Sequence, residues 1–127
     1  MSNIGLLTLQ QVKDIHDLIL DSEPGLVGDY GDGPLEGALG RIQAHIEYRS
    51  MCDVFEIAAM YAVALARGHT FSDAKKRTAL VVALTYLDTQ GIVIPRSAIL
   101  EDAMVDVATG LLNADGFAEL LYSLVPD

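Results

Sequence analysis

The sequence predicts an all-α protein, a compact bundle of about six helices in a single domain over residues 1–127. Apolar residues recur at intervals of three and four along most of the chain, and glycine, proline or a capping residue separates each such segment from the next. The segment 54–67 is almost entirely apolar and the segment 74–90 has mostly apolar faces, as helices do when the rest of a bundle surrounds them. Tryptophan is absent and aromatic residues make up only 6%, so aliphatic side chains must build the core.

The first helix is expected over about 9–21. Thr8 and Gln11 form a capping box before it, and the apolar residues that follow repeat at helical spacing. His16 lies between these apolar positions, and we expect only a surface or packing role for it.

A loop and a second helix come next. Residues 22–34 contain four glycines and two prolines among several acids, which is typical of a loop. From residue 35 the apolar side chains again recur at three and four, so the second helix is expected over about 35–48.

The third and fourth helices are predicted to be the buried centre of the bundle. The third, about 54–67, follows the capping pattern D-x-x-E at 53–56 and ends before Gly68. The fourth, about 74–90, ends before Gly91. The short segment HTFSD joins them, so these two helices form a hairpin.

Two further helices are expected in the last third of the chain. The β-prone run IVIP precedes them and predicts either a short strand or an extended link. Ser97 caps a helix over about 98–109, and Asn113 or Asp115 caps the last helix, which runs over about 115–125.

Charge and composition exclude several classes of function. A net charge of −10 and a pI near 4.4 argue against direct DNA binding and against binding to anionic membranes. No segment reaches the roughly 18 apolar residues of a membrane-spanning helix, and the N-terminus lacks the pattern of a secretory signal. The single cysteine, Cys52, cannot form an internal disulfide, so we expect a cytoplasmic protein.

Basic residues nevertheless concentrate at the start of the fourth helix. Arg67, Lys75, Lys76 and Arg77 are four of the eight basic residues, and they lie within eleven positions. The free backbone N–H groups and the dipole of a first helical turn already attract anions, whereas basic side chains normally avoid that end. Three adjacent cations there therefore indicate an anionic ligand.

The neighbouring residues suggest what chemistry this ligand undergoes. The imidazole of His69 can accept a proton near neutral pH, and the carboxylate of Asp73 can hold Mg²⁺. The backbone N–H groups of residues 74–77, with the side chains of Lys76 and Arg77, can bind nucleotide phosphates. A base, a metal ligand and a phosphate site are the parts needed for phosphoryl or nucleotidyl transfer.

The segment HTFSDAKKRTA closely resembles the signature of the Fic/Doc superfamily, specifically its Doc (death-on-curing) toxin branch, H-x-F-x-[D/N]-A-N-K-R-T-A. The segments GRIQAHIEY, DVFEIAAMYAVALARGH and TALVVALTYL, and the ATG near 108–110, extend the resemblance over nearly the whole chain. The resemblance implies a Fic fold with the active-site loop between the two central buried helices.

The resemblance also implies a function. Doc toxins belong to type II toxin–antitoxin pairs and are protein kinases that use ATP and Mg²⁺ to phosphorylate a threonine of elongation factor EF-Tu, which inhibits translation. The implied partner is a Phd-like antitoxin whose flexible C-terminal segment folds across the toxin. We expect that segment to lie as a helix along an apolar groove, near the last helices or the 22–34 loop.

Roles for individual residues follow from their positions in the motif. The resemblance implies that His69 is the general base on the target hydroxyl, Phe71 anchors the loop in the core, and Asp73 is the metal-associated carboxylate. Lys76 and Arg77 would contact phosphates.

Two departures from related motifs leave alternatives open. Relatives that transfer AMP carry glycine at the positions of Ala74 and Lys76. The lysine side chain at position 76 fills part of the space that a glycine leaves, which favours a kinase over an AMP transferase. The family's asparagine is Lys75 here, which can donate but not accept hydrogen bonds. The alternatives are therefore an AMP transferase, or a catalytically impaired member that acts as an antitoxin-binding partner.

Overall fold

Six α-helices occur in the part of the chain that the computed structural model describes, residues 6–22, 32–49, 53–66 and 73–126. For residues 32–34, 49, 73 and 74 it describes the backbone alone. No strand occurs among the described residues, so the prediction of an all-α fold with about six helices is confirmed. The helices are α1 (Leu9–Ser22), α2 (Asp32–Arg49), α3 (Val54–Ala66), α4 (Asp73–Thr89), α5 (Ala98–Thr109) and α6 (Ala114–Ser123).

Reciprocal capping boxes begin α1 and α3, as predicted. The Thr8 N–H donates to Gln11 Oε1 at 2.8 Å, and the Gln11 N–H donates to Thr8 Oγ1 at 3.1 Å. Asp53 and Glu56 form the same pair of bonds, at 3.3 and 2.8 Å. Each box satisfies N–H groups that the first helical turn leaves without a partner, which is why both helices begin where the sequence indicates.

Single caps begin the last two helices. Ser97 Oγ accepts the Leu100 N–H at 3.3 Å before α5. Asn113 Oδ1 accepts the Gly116 N–H at 2.8 Å before α6, so Asn113 is the cap and the alternative at position 115 is wrong. Gly110 ends α5 with a φ of +88°, a conformation in which glycine carries no side-chain penalty.

The link between α4 and α5 is not a strand. Residues 92–97 have no regular secondary structure, and the described residues include no strand with which they could pair. Ile94 is buried and Ile92 packs half-buried against the core, while Val93 is 64% exposed, so two isoleucines attach the link to the core. Of the two alternatives for IVIP, the connecting segment is the observed one.

Helix α3 is the centre of the structure. It packs against α2, α4, α5 and α6, and its largest interface is with α4. All of its apolar side chains are buried or half-buried, and four of the buried ones are alanines, which let neighbouring helices approach closely. The prediction that the third and fourth helices are both buried is confirmed. The fully buried residues of α3 are Ile57, Ala58, Ala59, Tyr61, Ala62, Leu65 and Ala66.

Buried Tyr61 connects α3 to the segment that leads into α1. Its hydroxyl accepts the Leu7 N–H at 2.9 Å and donates to the Leu7 carbonyl at 3.4 Å. Its ring centroid lies 5.7 Å from that of Tyr86 on α4. Burial raises the pKa of Tyr61 above its ordinary value of 10.0, and the hydrogen bond to Leu7 opposes this increase only in part.

Of the predicted loop 22–34, residues 23–31 lie outside the described residues. The prediction is wrong at its two edges, because Ser22 is the last residue of α1 and residues 32–34 are the first of α2. Within the described ranges, no helix has both the length and the apolar character required to cross a lipid bilayer. The acidic side chains of α5, at Glu101, Asp102 and Asp106, are all exposed.

Replacing Tyr61 with phenylalanine should destabilise the fold. The change removes the acceptor of the buried Leu7 N–H, so we expect the free energy of unfolding to fall by about 1–3 kcal/mol in urea denaturation followed by circular dichroism. The matched control is Tyr48→Phe, since Tyr48 is 89% exposed, and its effect should stay within about 0.5 kcal/mol. Equal losses in the two variants would contradict this account.

The stability of the natural chain and that of Tyr61→Phe should also depend differently on pH. Because the pKa of Tyr61 is raised in the folded state, its contribution to stability is complete below pH 10.0 and is lost as the pH rises through the folded pKa. The stability difference between the natural chain and Tyr61→Phe should therefore shrink above pH 10.0. If the stability difference between the two proteins instead grows with pH in urea titrations, the pKa of Tyr61 is not raised in the folded state.

Candidate functional site

The predicted site residues lie on both sides of the start of α4. His69 and Phe71 fall outside the described residues, and of Asp73 and Ala74 only the helical backbone is described. Of the predicted site, side chains are described for the three cations at 75–77. The roles assigned to His69, Phe71 and Asp73 therefore stay predictions.

The three cations occupy the first two turns of α4. The helix begins at Asp73, so the N–H groups without partners inside the helix belong to its first four residues. Lys75, Lys76 and Arg77 are each half-buried beside these N–H groups. Their charges add to the positive end of the helix dipole, which makes this end of α4 favourable for a phosphate.

A cavity of about 130 Å³ lies between α4 and α5 beside two of these cations. Leu80 and Met104 are its most buried walls, at 1% and 2% exposure, while Val105 is 47% exposed and lies toward solvent. The cavity therefore has an apolar interior and a charged border. Its lining residues are Lys76, Arg77, Leu80, Glu101, Met104 and Val105.

The border of the cavity carries charges of both signs. Glu101 Oε2 lies 3.3 Å from Arg96 Nη2, in an ion pair whose two side chains are 46% and 40% exposed. Such an exposed pair contributes only about 0–1 kcal/mol, so it can rearrange without a large cost. With Lys76 and Arg77 on the opposite wall, the cavity suits a ligand that combines an anionic group with an apolar part.

His16 of α1, for which the sequence predicted only a surface or packing role, contacts α4 directly after the three cations. His16 is buried at 5% exposure, and its Nδ1 lies 2.8 Å from Oγ1 of Thr78, which is completely buried. The packing role expected for His16 is therefore observed, and the surface alternative is wrong. The sequence did contain a signal, because His16 follows Val12 by four residues and precedes Ile19 by three, and both are buried.

Asp73 is the predicted magnesium ligand, and its side chain is not among those described. Among the described residues, no three His, Cys, Asp or Glu side chains come close enough together to hold a metal ion.

Comparison with known proteins identifies relatives of the chain. The sequence model of the Fic/DOC family matches residues 6–87, a range that includes α1 to α3, nearly all of α4 and every predicted site residue. A protein of Escherichia phage P1 named "Protein kinase doc" is 41% identical over 115 residues, which cover 91% of this chain and 91% of that protein.

Filling the cavity tests whether it takes part in anion binding. A Val105→Trp side chain would occupy much of the volume beside Lys76 and Arg77, so we expect pyrophosphate to bind roughly tenfold more weakly in isothermal titration calorimetry. The matched control is Ile99→Trp, on the same helix and 57% exposed but outside the lining of the cavity. Similar affinities for both variants would exclude the cavity as part of the anion site.

Proposed function

The chain belongs to the Fic/DOC family, and from this premise we propose that it is the toxin of a type II toxin–antitoxin pair and acts as an ATP-dependent protein kinase. The observation that carries the proposal is the position of Lys76 and Arg77, which lie at the positive end of α4 and line one cavity with α5. The name of the phage P1 relative supports phosphoryl transfer as the reaction.

The positive charges at the N-terminal end of α4 suit the phosphates of a nucleoside triphosphate. The backbone N–H groups of Ala74 and Lys75 point toward the N-terminal end of α4, as all N–H groups of a first helical turn do, so they can donate to phosphate oxygens. Arg77 can bind two oxygens with its planar guanidinium, and Lys76 adds a point charge. ATP with Mg²⁺ would supply the transferable phosphoryl group and the metal charge that offsets its oxygens.

The remaining roles belong to residues of the motif before and at the start of α4. His69 accepts the proton of the target hydroxyl as general base, and Asp73 holds Mg²⁺. Phe71 anchors the loop in the core, so that the base keeps a constant position relative to α4. These roles follow from the match between this segment and the family motif.

Lys76 favours a kinase over an AMP transferase. It stands where AMP-transferring relatives carry glycine, and in this structure its side chain is half-buried and borders the cavity. It therefore takes up space beside the phosphate site that a glycine would leave open. We expect this side chain to hold the nucleotide in a different position from the one it takes in AMP-transferring relatives. Such a position is consistent with transfer of the terminal phosphoryl group.

We propose a threonine of EF-Tu as the cytoplasmic target and a Phd-like antitoxin as the partner, as the family resemblance implies. Exposed apolar side chains just before α6 and in its last turn support an antitoxin face near the last helices. Leu111 is 81% exposed, and Tyr122 is 70% exposed with its ring 5.3 Å from that of Phe55. An amphipathic helix from the partner could cover these side chains.

Transfer of label from ATP tests the proposed reaction. We would incubate the chain with EF-Tu and ATP labelled at either the α or the γ position. Label from the γ position on EF-Tu is expected; label from the α position would identify an AMP transferase, and no label would leave the antitoxin-binding alternative. His69→Ala should lower the rate about 10²–10⁴-fold, as loss of a general base does. The control Asp102→Asn changes an exposed residue of α5 and should leave the rate unchanged.

Restoring the family's asparagine tests the effect of Lys75. If the half-buried lysine displaces the phosphates by about 1 Å, Lys75→Asn should raise the transfer rate by up to about a hundredfold. The matched control is Lys76→Asn, which removes a proposed phosphate contact from the adjacent position and should lower the rate. An unchanged rate in Lys75→Asn would mean that this lysine does not impair the reaction.

A further inference from the structure

We propose that His16 and Thr78 are positioning residues, whose hydrogen bond holds the first turns of α4 in the orientation that phosphate binding requires. This inference rests on the proposed function, because it concerns the same phosphate site. Neither residue contacts the ligand in this account. Both act through Arg77 and Lys76, the two cations that directly precede Thr78 in α4.

The bond joins two helices at their most enclosed point. Nδ1 of His16 and Oγ1 of Thr78 are 2.8 Å apart, although the residues are 62 positions apart in the chain. With exposures of 5% and 0%, neither residue can readily exchange this partner for water. A displacement of α4 relative to α1 would therefore leave buried polar atoms without their bond, which is unfavourable.

The hydroxyl of Thr78 did not need a partner on another helix. A threonine inside a helix can bond a carbonyl of the preceding turn of its own helix. The bond to His16 therefore does more than satisfy a polar atom, because it is directional and defines the rotation and height of α4 against α1. Two apolar side chains at these positions would pack but would not impose that orientation.

Helix α1 is itself held in place, so it can serve as a reference for α4. Its leading segment is attached to α3 through the two hydrogen bonds between Leu7 and the hydroxyl of Tyr61. Val12 and Ile19 bury the same face of α1 on either side of His16. The start of α4 is thus connected through α1 to the central helix, independently of the segment that joins α3 to α4.

The position of Thr78 relates the bond to the phosphate site. From Thr78 to Leu80 the side chains of α4 are buried, whereas those at 75–77 are half-buried and belong to the first two turns of the helix. The bond to His16 therefore holds α4 at the boundary between the core and the site. A shift of about 1 Å in the phosphate contacts can lower a reaction rate about a hundredfold, so small rotations at this boundary matter.

Kinetics of hydroxyl variants test the inference. Thr78→Val keeps the shape but removes the bond, and we expect kcat to fall roughly tenfold or more while KM for EF-Tu stays unchanged. Thr78→Ser keeps the hydroxyl and should remain within about threefold of the natural chain. The control Thr89→Val makes the same change in the same helix, where the hydroxyl donates to the Tyr86 carbonyl at 2.6 Å, and should leave kcat unchanged.

Amide hydrogen exchange gives a second readout that does not depend on activity. The amides of residues 77–80 bond to the carbonyls of the first turn, and they should exchange faster in Thr78→Val while those at 84–88 stay unchanged. If the natural chain transfers no phosphoryl group, the proposed function fails and the exchange result alone decides the inference. Unchanged exchange at 77–80, uniform acceleration along all of α4, or an unchanged kcat in an active protein would each overturn it.

Discussion

The packing of α3 against α4 is the constraint on which the rest of the structure depends. Helix α3 has no polar face, so every side of it must be removed from water. One neighbouring helix can cover only part of that surface, and α2, α5 and α6 therefore pack around the pair. The arrangement of the bundle thus follows from the apolar side chains on every side of α3, each of which is more stable away from water.

This constraint also explains why the candidate site is rigid on one side. From Thr78 onward, α4 is held by the core, while the half-buried cations at 75–77 project just before that boundary. The backbone that carries these charges continues directly into the buried part of α4, so the core determines where that backbone lies. A phosphate bound there would meet donors whose positions are already determined, which is what electrostatic stabilisation of phosphoryl transfer requires.

Local signals explain which features could be predicted from the sequence. Capping boxes at Thr8 and Asp53 identified helix starts, because a capping residue and its partner lie within one turn. The cluster at 75–77 was recognised because adjacent cations at a helix start are unusual in any fold. The strand alternative for IVIP could not be excluded, since a strand requires a partner strand elsewhere in the chain.

By itself, the sequence determined the helices, the two buried segments and the anion-attracting residues at the start of α4, because periodicity, capping and local charge act within a few positions. The tertiary structure alone decided that His16 bonds Thr78, that Tyr61 holds Leu7, and that α5 completes a cavity beside Lys76 and Arg77. Each of these contacts joins residues from different segments of the chain. The packing angles that bring such helices together depend on all of the buried side chains at once, so no local pattern contains them.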